Sequence, residues 1–306
     1  MRAPAQGLPY SQVGYNAIEK PIKSHKSNKA NVPNIIIGLF LPWLTFCVCF
    51  ASFSFSLHYD KPAVAYAATG TMMIAVLAFG ILALNAIKKR RAGKSAPDPI
   101  WFLFICLTGL GSWSAGVFLG DLNFWHYTHP YYDLVNMQAY PDIDPDVRRG
   151  QQLMDAARIS FTDGSYIDLQ KSTGFRNLDW FCVAPITSGS NTDSTYDFWA
   201  VGLNCCQGTP GDFHCGEYNN PAAMSGLRVM REDQQAFYRL AVEQASAMHK
   251  VKADHPIFVY WMQDPLIEMN AYMDQAFKYF MMGVFMDFSF QLFLVLAMLL
   301  CTAGMS

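Results

Sequence analysis

Four stretches of this 306-residue chain are long, apolar and almost free of charge, and they restrict the possible folds more than any motif does. Residues 34–59 (which include IIIGLFLPWLTFCVCFASFSFSL), 63–87 and 100–120 hold no Asp, Glu, Lys or Arg, and residues 277–302 hold only Lys278 near one edge and Asp287 inside. A helix needs about 20 apolar residues to cross a hydrocarbon core, and helices are the elements that satisfy their own backbone there. The pattern predicts four transmembrane helices. Composition agrees: charged residues make up 15% of the chain and aromatics another 15%, whereas a soluble domain ordinarily carries about 25% charged residues.

Orientation follows from the basic residues. Arg2, Lys20, Lys23, Lys26 and Lys29 precede the first helix, and Lys88, Lys89, Arg90, Arg91 and Lys94 fill the loop between the second and third. Lysine and arginine accumulate on the cytoplasmic side, so both termini are expected in the cytoplasm. The first apolar stretch starts too late for a cleaved signal peptide and is expected to act as an uncleaved anchor. The resulting organisation is a basic, disordered cytoplasmic tail (1–33), three helices (34–120) with a basic inner loop (88–99), an extracytoplasmic domain (121–276), and a fourth helix with a short inner end (277–306). Residues 58–62 form the small outer loop. The large outer segment, residues 121–275, carries 20 acidic and 10 basic residues. An acidic surface argues against nucleic acid or anionic lipid as its partner and leaves proteins, cations and basic ligands.

The cysteines divide by location. Cys47, Cys49, Cys106 and Cys301 belong to the apolar stretches, whereas Cys182, Cys205, Cys206 and Cys215 lie in the outer segment, the last three within GLNCCQGTPGDFHC. An even set in an oxidising compartment reads as two disulfides. A zinc site lacks the usual CxxC spacing and, with free or redox thiols, is the alternative. Neighbouring residues in extended chain point to opposite sides, so Cys205 and Cys206 are expected to bridge Cys182 and Cys215, in an order left open.

Four helices, inside termini, a small first loop, a large second loop and the Cys205-Cys206-Gln207-Gly208 motif resemble the tetraspanins, whose large loop carries a Cys-Cys-Gly signature tied by disulfides to later cysteines. The resemblance implies a membrane scaffold or receptor that works through protein contacts. The chain departs from that pattern in Gln207 before the glycine, in a cysteine that precedes the pair, and in a third cysteine only nine residues on.

Within the outer segment, DWFCVAPI and YDFWAVGLNCC alternate in polarity and are rich in aromatics and valine, which predicts two paired strands around TSGSNTDST. Residues 146–160 have helical periodicity, as does the tract after Pro221, with Leu227, Met230, Phe237, Leu240, Ala241 and Met248 on one face. The fold class is therefore an all-α four-transmembrane-helix bundle carrying a large disulfide-stapled α+β extracytoplasmic domain between helices 3 and 4. FWHYTHPYY, residues 124–132, places rings at the expected headgroup level; His126 and His129 within it lack an evident third metal ligand. PDIDPD sets Asp142, Asp144 and Asp146 at alternate positions, as a calcium loop begins, but Gly150 and Leu153 stand in the wrong places for an EF-hand. A solvated turn with Asp capping a helix is the plainer reading.

Two further features bear on function. Asp287 and Gln291 lie one turn apart inside the fourth helix, where a carboxylate is costly and either bonds a neighbouring helix or serves an ion pathway; Asn85, Thr108 and Ser112 are candidate partners. Ser112, Gly116 and Gly120 repeat at four-residue spacing, which permits close helix packing within the bundle or with another chain. In the tail, Tyr10 with Val13 and Tyr15 with Ile18 match the tyrosine-x-x-bulky-apolar sorting signal. The outer segment holds no nucleophile elbow, zincin helix, glycine-rich phosphate loop or paired-carboxylate motif. The expected function is a tetraspanin-like scaffold or receptor in the plasma or endosomal membrane, homo- or hetero-oligomeric, without enzymatic activity or cofactor. A small transporter or channel subunit using Asp287 is the alternative.

Overall fold

A computed structural model of the chain describes residues 32–190 and 194–304. Its helices are α1 (Val32–Ser54), the short α2 (Ser56–Asp60), α3 (Pro62–Arg91), α4 (Pro99–Asn123), α5 (His129–Asn136), α6 (Glu232–His249) and α7 (Pro265–Gly304). A π-helical turn, Phe124–Thr128, joins α4 to α5 without a break, so Val32–Ser54, Pro62–Arg91, Pro99–Asn136 and Pro265–Ala303 are each long and apolar enough to cross a membrane. Proline opens α3, α4 and α7, where its fixed φ suits the helix and its missing N–H has no intrahelical acceptor to lose. Lys88, Lys89, Arg90 and Arg91 occupy the last turn of α3, the end at which cations oppose the helix dipole, and Arg90 pairs with Asp98 just before α4.

Helices α1 and α4 approach most closely along the glycines of α4. A Cβ on Gly116 would lie 2.9 Å from the Phe46 carbonyl oxygen, and one on Gly120 would lie 2.7 Å from Phe53 Cβ. Here the small-residue stripe serves packing within the chain. The opposite faces of α3 and α7 are apolar and exposed, with Ile74, Leu84, Phe285, Phe293 and Leu300 each at least 59% accessible.

Between α5 and α7 lies a mixed sheet of eight strands: β1 (Gln138–Ile143), β2 (Ala156–Phe161), β3 (Tyr166–Ile167), β4 (Thr173–Asn177), β5 (Asp179–Thr187), β6 (Phe198–Leu203), β7 (Ser225–Arg228) and β8 (Ile257–Met262). Their order is β1-β2-β7-β8-β6-β5-β3, with β4 also on β5; β1/β2 and β6/β8 run parallel and the other pairs antiparallel. The two alternating runs form β5 and β6, with Val183 opposite Val201. Alternation divides their side chains between two cores. Phe181, Val183, Trp199 and Val201 pack beneath α6 with Tyr238 and Val242. Cys182, Ala184, Ile186, Phe198 and Ala200 face the other way and are covered, with Cys206, Phe213 and Cys215, by the irregular chain between β6 and β7. A third cluster, containing Leu134, Leu227, Met262 and Met269, joins the sheet to α5 and α7.

Two helical expectations fail for tertiary reasons. Residues 146–160 form a 3-10 turn, Gly150–Leu153, followed by β2. Asp197 Oδ2 accepts the Gly150 N–H at 2.9 Å, and β2 pairs on both edges, so its apolar residues serve a sheet. In the tract after Pro221, Leu227 belongs to β7, where Gly226 leaves room for Val259. Met230 is in the connection that follows, and α6 begins only at Glu232. It retains Phe237, Leu240, Ala241 and Met248, yet Leu240 and Met248 are exposed because Tyr238, Val242 and Ala245 make the buried stripe.

Candidate functional site

The cysteine motif is built on one rung of the sheet. Cys182 on β5 lies opposite Gly174 on β4 and Gly202 on β6. Cys182 bonds Cys206, and Cys205 bonds Cys215, which resolves the order left open by the sequence. The flanking glycines create the space: a Cβ at Gly174 would come 2.6 Å from Cys206 Sγ, and one at Gly202 would come 2.6 Å from Cys205 Sγ and 2.8 Å from Cys215 Sγ. The Sγ atoms of Cys182, Cys205 and Cys215 lie within 4.8 Å of one another. In the bonded form they staple the coil that covers one sheet face, where Leu153 and Leu169 of two 3-10 turns also pack.

The polar residues of the apolar helices meet as well. Gln291 Nε2 donates to Ser112 Oγ at 2.7 Å, and the same hydroxyl lies 3.4 Å from Asp287 Oδ1. Ser112 and Gln291 are buried, at 2% and 1% exposure. Among the described residues Asp287 Oδ2 and Gln291 Oε1 accept no hydrogen bond, and Asp287, Gln291 and Thr108 are among the residues that line a cavity of about 340 Å³. Of the three candidate partners, Ser112 bonds and Thr108 shares the cavity; Asn85 is not among the lining residues.

Asp144 and Asp146 do not form an exposed turn capping a helix. Asp146 accepts hydrogen bonds from Thr187 Oγ1, from the Ser188 and Ser190 N–H groups and from Ser188 Oγ, all at 2.9–3.0 Å. Asp144 accepts Ser188 Oγ at 2.9 Å. The two carboxylates therefore hold the chain leaving β5 through hydroxyl and N–H donors. His129 Nδ1 lies 2.9 Å from Asp133 one turn on, and His126 Nδ1 bonds the Leu122 carbonyl at 2.8 Å; they form no common site. Tyr10, Val13, Tyr15 and Ile18 lie outside the described residues.

Sequence reasoning missed a cavity of about 780 Å³ where β8 and the first turn of α6 meet the start of α7. Tyr260 and Tyr272 form its aromatic wall, and Glu217, Arg231, Gln234, Asp264 and Glu268 its polar rim. Arg231 pairs with Asp233 at 3.0 Å. Burial and the neighbouring Tyr272 push the Tyr260 phenol up to about 12, so it remains neutral at physiological pH. These residues come from segments far apart in sequence, and none forms a motif.

No family model matches the chain, no curated protein matches it, and no solved structure matches it.

Proposed function

We propose that this chain is a tetraspanin-like four-pass membrane protein, a scaffold or receptor that presents a disulfide-stapled domain outside the cytoplasm and engages other membrane or extracellular proteins through it. One observation carries the reading: the sheet domain sits between two helices that run unbroken from apolar spans into it, Pro99–Asn136 and Pro265–Ala303, and it is packed onto both through Leu134 and Met269. A partner on the domain would act on two spans at once. Exposed apolar faces on α3 and α7 support a lipid or helix environment, and the disulfides support an oxidising compartment. The basic inner loop supports a cytoplasmic placement of both termini, and the membrane we propose is plasma or endosomal.

A second reading, a small transporter or channel subunit, draws on Asp287 and Gln291, which line a cavity among the apolar helices. Lysine-directed crosslinking of the full chain in intact cells, with Asp287→Asn alongside, separates the two. The scaffold reading expects neighbouring proteins to be captured through Lys171, Lys250 or Lys252 in the sheet domain, unchanged in Asp287→Asn. Capture of none, together with a proton or cation flux into vesicles that Asp287→Asn abolishes, overturns it in favour of transport.

A further inference from the structure

We propose that the cavity between β2, β7 and the connection from β8 to α7 is a binding site for a monoanionic organic carboxylate, held by the Arg158 guanidinium and the Ser160 hydroxyl against an apolar wall. The inference gives the receptor reading a ligand class and rests on it for its biological setting. Arg158 carries the argument. It lines a cavity of about 420 Å³, is half-buried, and forms no hydrogen bond or ion pair among the described residues. Its Nε is sealed from solvent without an acceptor, whereas the two Nη groups, equally without an acceptor, stay accessible. A guanidinium so placed presents its Nη pair end-on, and the two oxygens of a carboxylate match that fork.

Strand geometry puts a second donor beside the fork. Arg158 and Ser160 alternate with Ile159 on β2 and so share a face, while Ile159 and Phe161 turn to the core. Ser225 pairs with Ser160 across β2 and β7, and its Oγ donates to Ser160 Oγ at 3.3 Å. A hydroxyl that accepts keeps its own proton to give, and Ser160 is exposed, so its O–H is available to a ligand. Tyr140, Pro141, Pro265 and Leu266 supply the apolar wall. The Tyr140 hydroxyl is turned to Asp155 at 2.9 Å, which leaves its ring for the cavity.

Charge and position narrow the ligand. Asp264 also borders the space, with Oδ1 accepting the Leu266 N–H at 2.9 Å. Beside a single cation it opposes a second negative charge, so a monoanion fits better than a dianionic phosphate. The outer segment is acidic as a whole, but charges farther than about 8–10 Å are screened at physiological salt, and the local cation decides. Pro265 opens α7 well before the apolar run at residues 277–302, a rise of about 18 Å at 1.5 Å per residue. That distance exceeds a headgroup layer of about 5–8 Å, so a soluble acid fits better than a lipid headgroup. The volume falls in the range of small-molecule pockets. A bound carboxylate would tie β2 to the start of the helix that continues into the apolar span.

The test is calorimetric titration of the full chain in phosphatidylcholine nanodiscs. Two carboxylates distinguish the source: hydrocinnamate for a free organic acid, and an N-acetylated trialanyl-phenylalanine peptide with a free carboxyl end for the chain terminus of a protein partner. Hydrocinnamamide and the amidated peptide are the neutral controls, and phenyl phosphate is the dianion. The expected result is saturable binding of at least one carboxylate, at least tenfold weaker binding of its amide, phenyl phosphate no tighter than the carboxylate, and at least tenfold weakening by Arg158→Gln. That change removes no hydrogen bond, and the melting curve verifies the fold. Leu266→Trp, at a position 45% exposed on the cavity wall, fills the space and provides a second variant with the same expected loss. Hydrocinnamate binding assigns a free acid and peptide-only binding assigns a protein terminus. Failure of both carboxylates, equal binding of the amides, tighter binding of phenyl phosphate, or indifference to Arg158→Gln overturns the proposal. Such a failure alongside crosslinked partners would spare the scaffold reading, and carboxylate binding without any partner would do the reverse.

Discussion

Adding one methyl group to different glycines of α4 should have opposite effects, because one glycine faces open space and two others face backbone. At Gly111 nothing lies within 4 Å of an added Cβ, and alanine in a helix interior is favoured over glycine by about 0.5–1 kcal/mol. Gly111→Ala should therefore stabilise the bundle by about that amount. At Gly116 the new atom would stand 2.9 Å from the Phe46 carbonyl oxygen and 3.0 Å from Cys49 Cβ; at Gly120 it would stand 2.7 Å from Phe53 Cβ and 3.1 Å from the Phe50 carbonyl oxygen. Those atoms belong to or adjoin the α1 backbone, so no rotamer change moves them, and the helices must separate. Overpacking of this kind costs about 1–3 kcal/mol. After the helix gain, each variant should lose about 1–2 kcal/mol. Cys49 and Cys106 are buried free thiols and supply the readout: their reaction with a maleimide dye during thermal or denaturant unfolding of the full chain in micelles, with exposed Cys301 and half-buried Cys47 changed to serine. If Gly116→Ala and Gly120→Ala unfold at or above the midpoint of Gly111→Ala, the close α1–α4 seam does not exist.

Three other outcomes are expected. Non-reducing peptide mapping should recover Cys182 with Cys206 and Cys205 with Cys215, and alanine at both members of either pair should cost about 3 kcal/mol, slightly more for the wider loop; a Cys182–Cys215 peptide would refute the pairing. Asp146→Asn exchanges a carboxylate accepting several donors from residues 187–190 for an amide, and should cost about 1–3 kcal/mol, with faster hydrogen exchange at Ser188 and Ser190; unchanged exchange there would remove the clamp. Alkaline pH should weaken the sheet domain through Tyr260, raised by burial from 10 to about 12. Since the folded phenol keeps its proton where the unfolded one has lost it, this contribution is complete below about pH 10 and declines as pH rises toward 12. Tyr260→Phe should flatten that part of the profile, and an identical slope would contradict it.

Some of this molecule is legible residue by residue. The four apolar spans follow from runs without charge, since hydrocarbon penalises charge wherever the helix packs. Strands β5 and β6 follow from alternation in DWFCVAPI and YDFWAVGLNCC, whereas Cys205 and Cys206 lie beyond the end of β6, in a bend after Asn204 at φ 55°, so their different partners come from the coil rather than from a pleat. The periodicity at residues 146–160 misleads because apolar residues such as Ile159 and Phe161 fit a helix stripe or a sheet face, and the partners that choose the sheet, β1 and β7, lie elsewhere in the chain. Likewise the glycines at 174 and 202 are unremarkable in sequence, and they acquire meaning only when strand register sets them beside Cys182. The sequence by itself determined the spans, their charge asymmetry and the presence of a stapled domain, because those depend on local composition. Tertiary structure alone decided which cysteines bond, that Ser112 meets Asp287 and Gln291, and that Gln234, Tyr260 and Glu268 line one cavity, because each depends on the distance between residues that the chain order keeps apart.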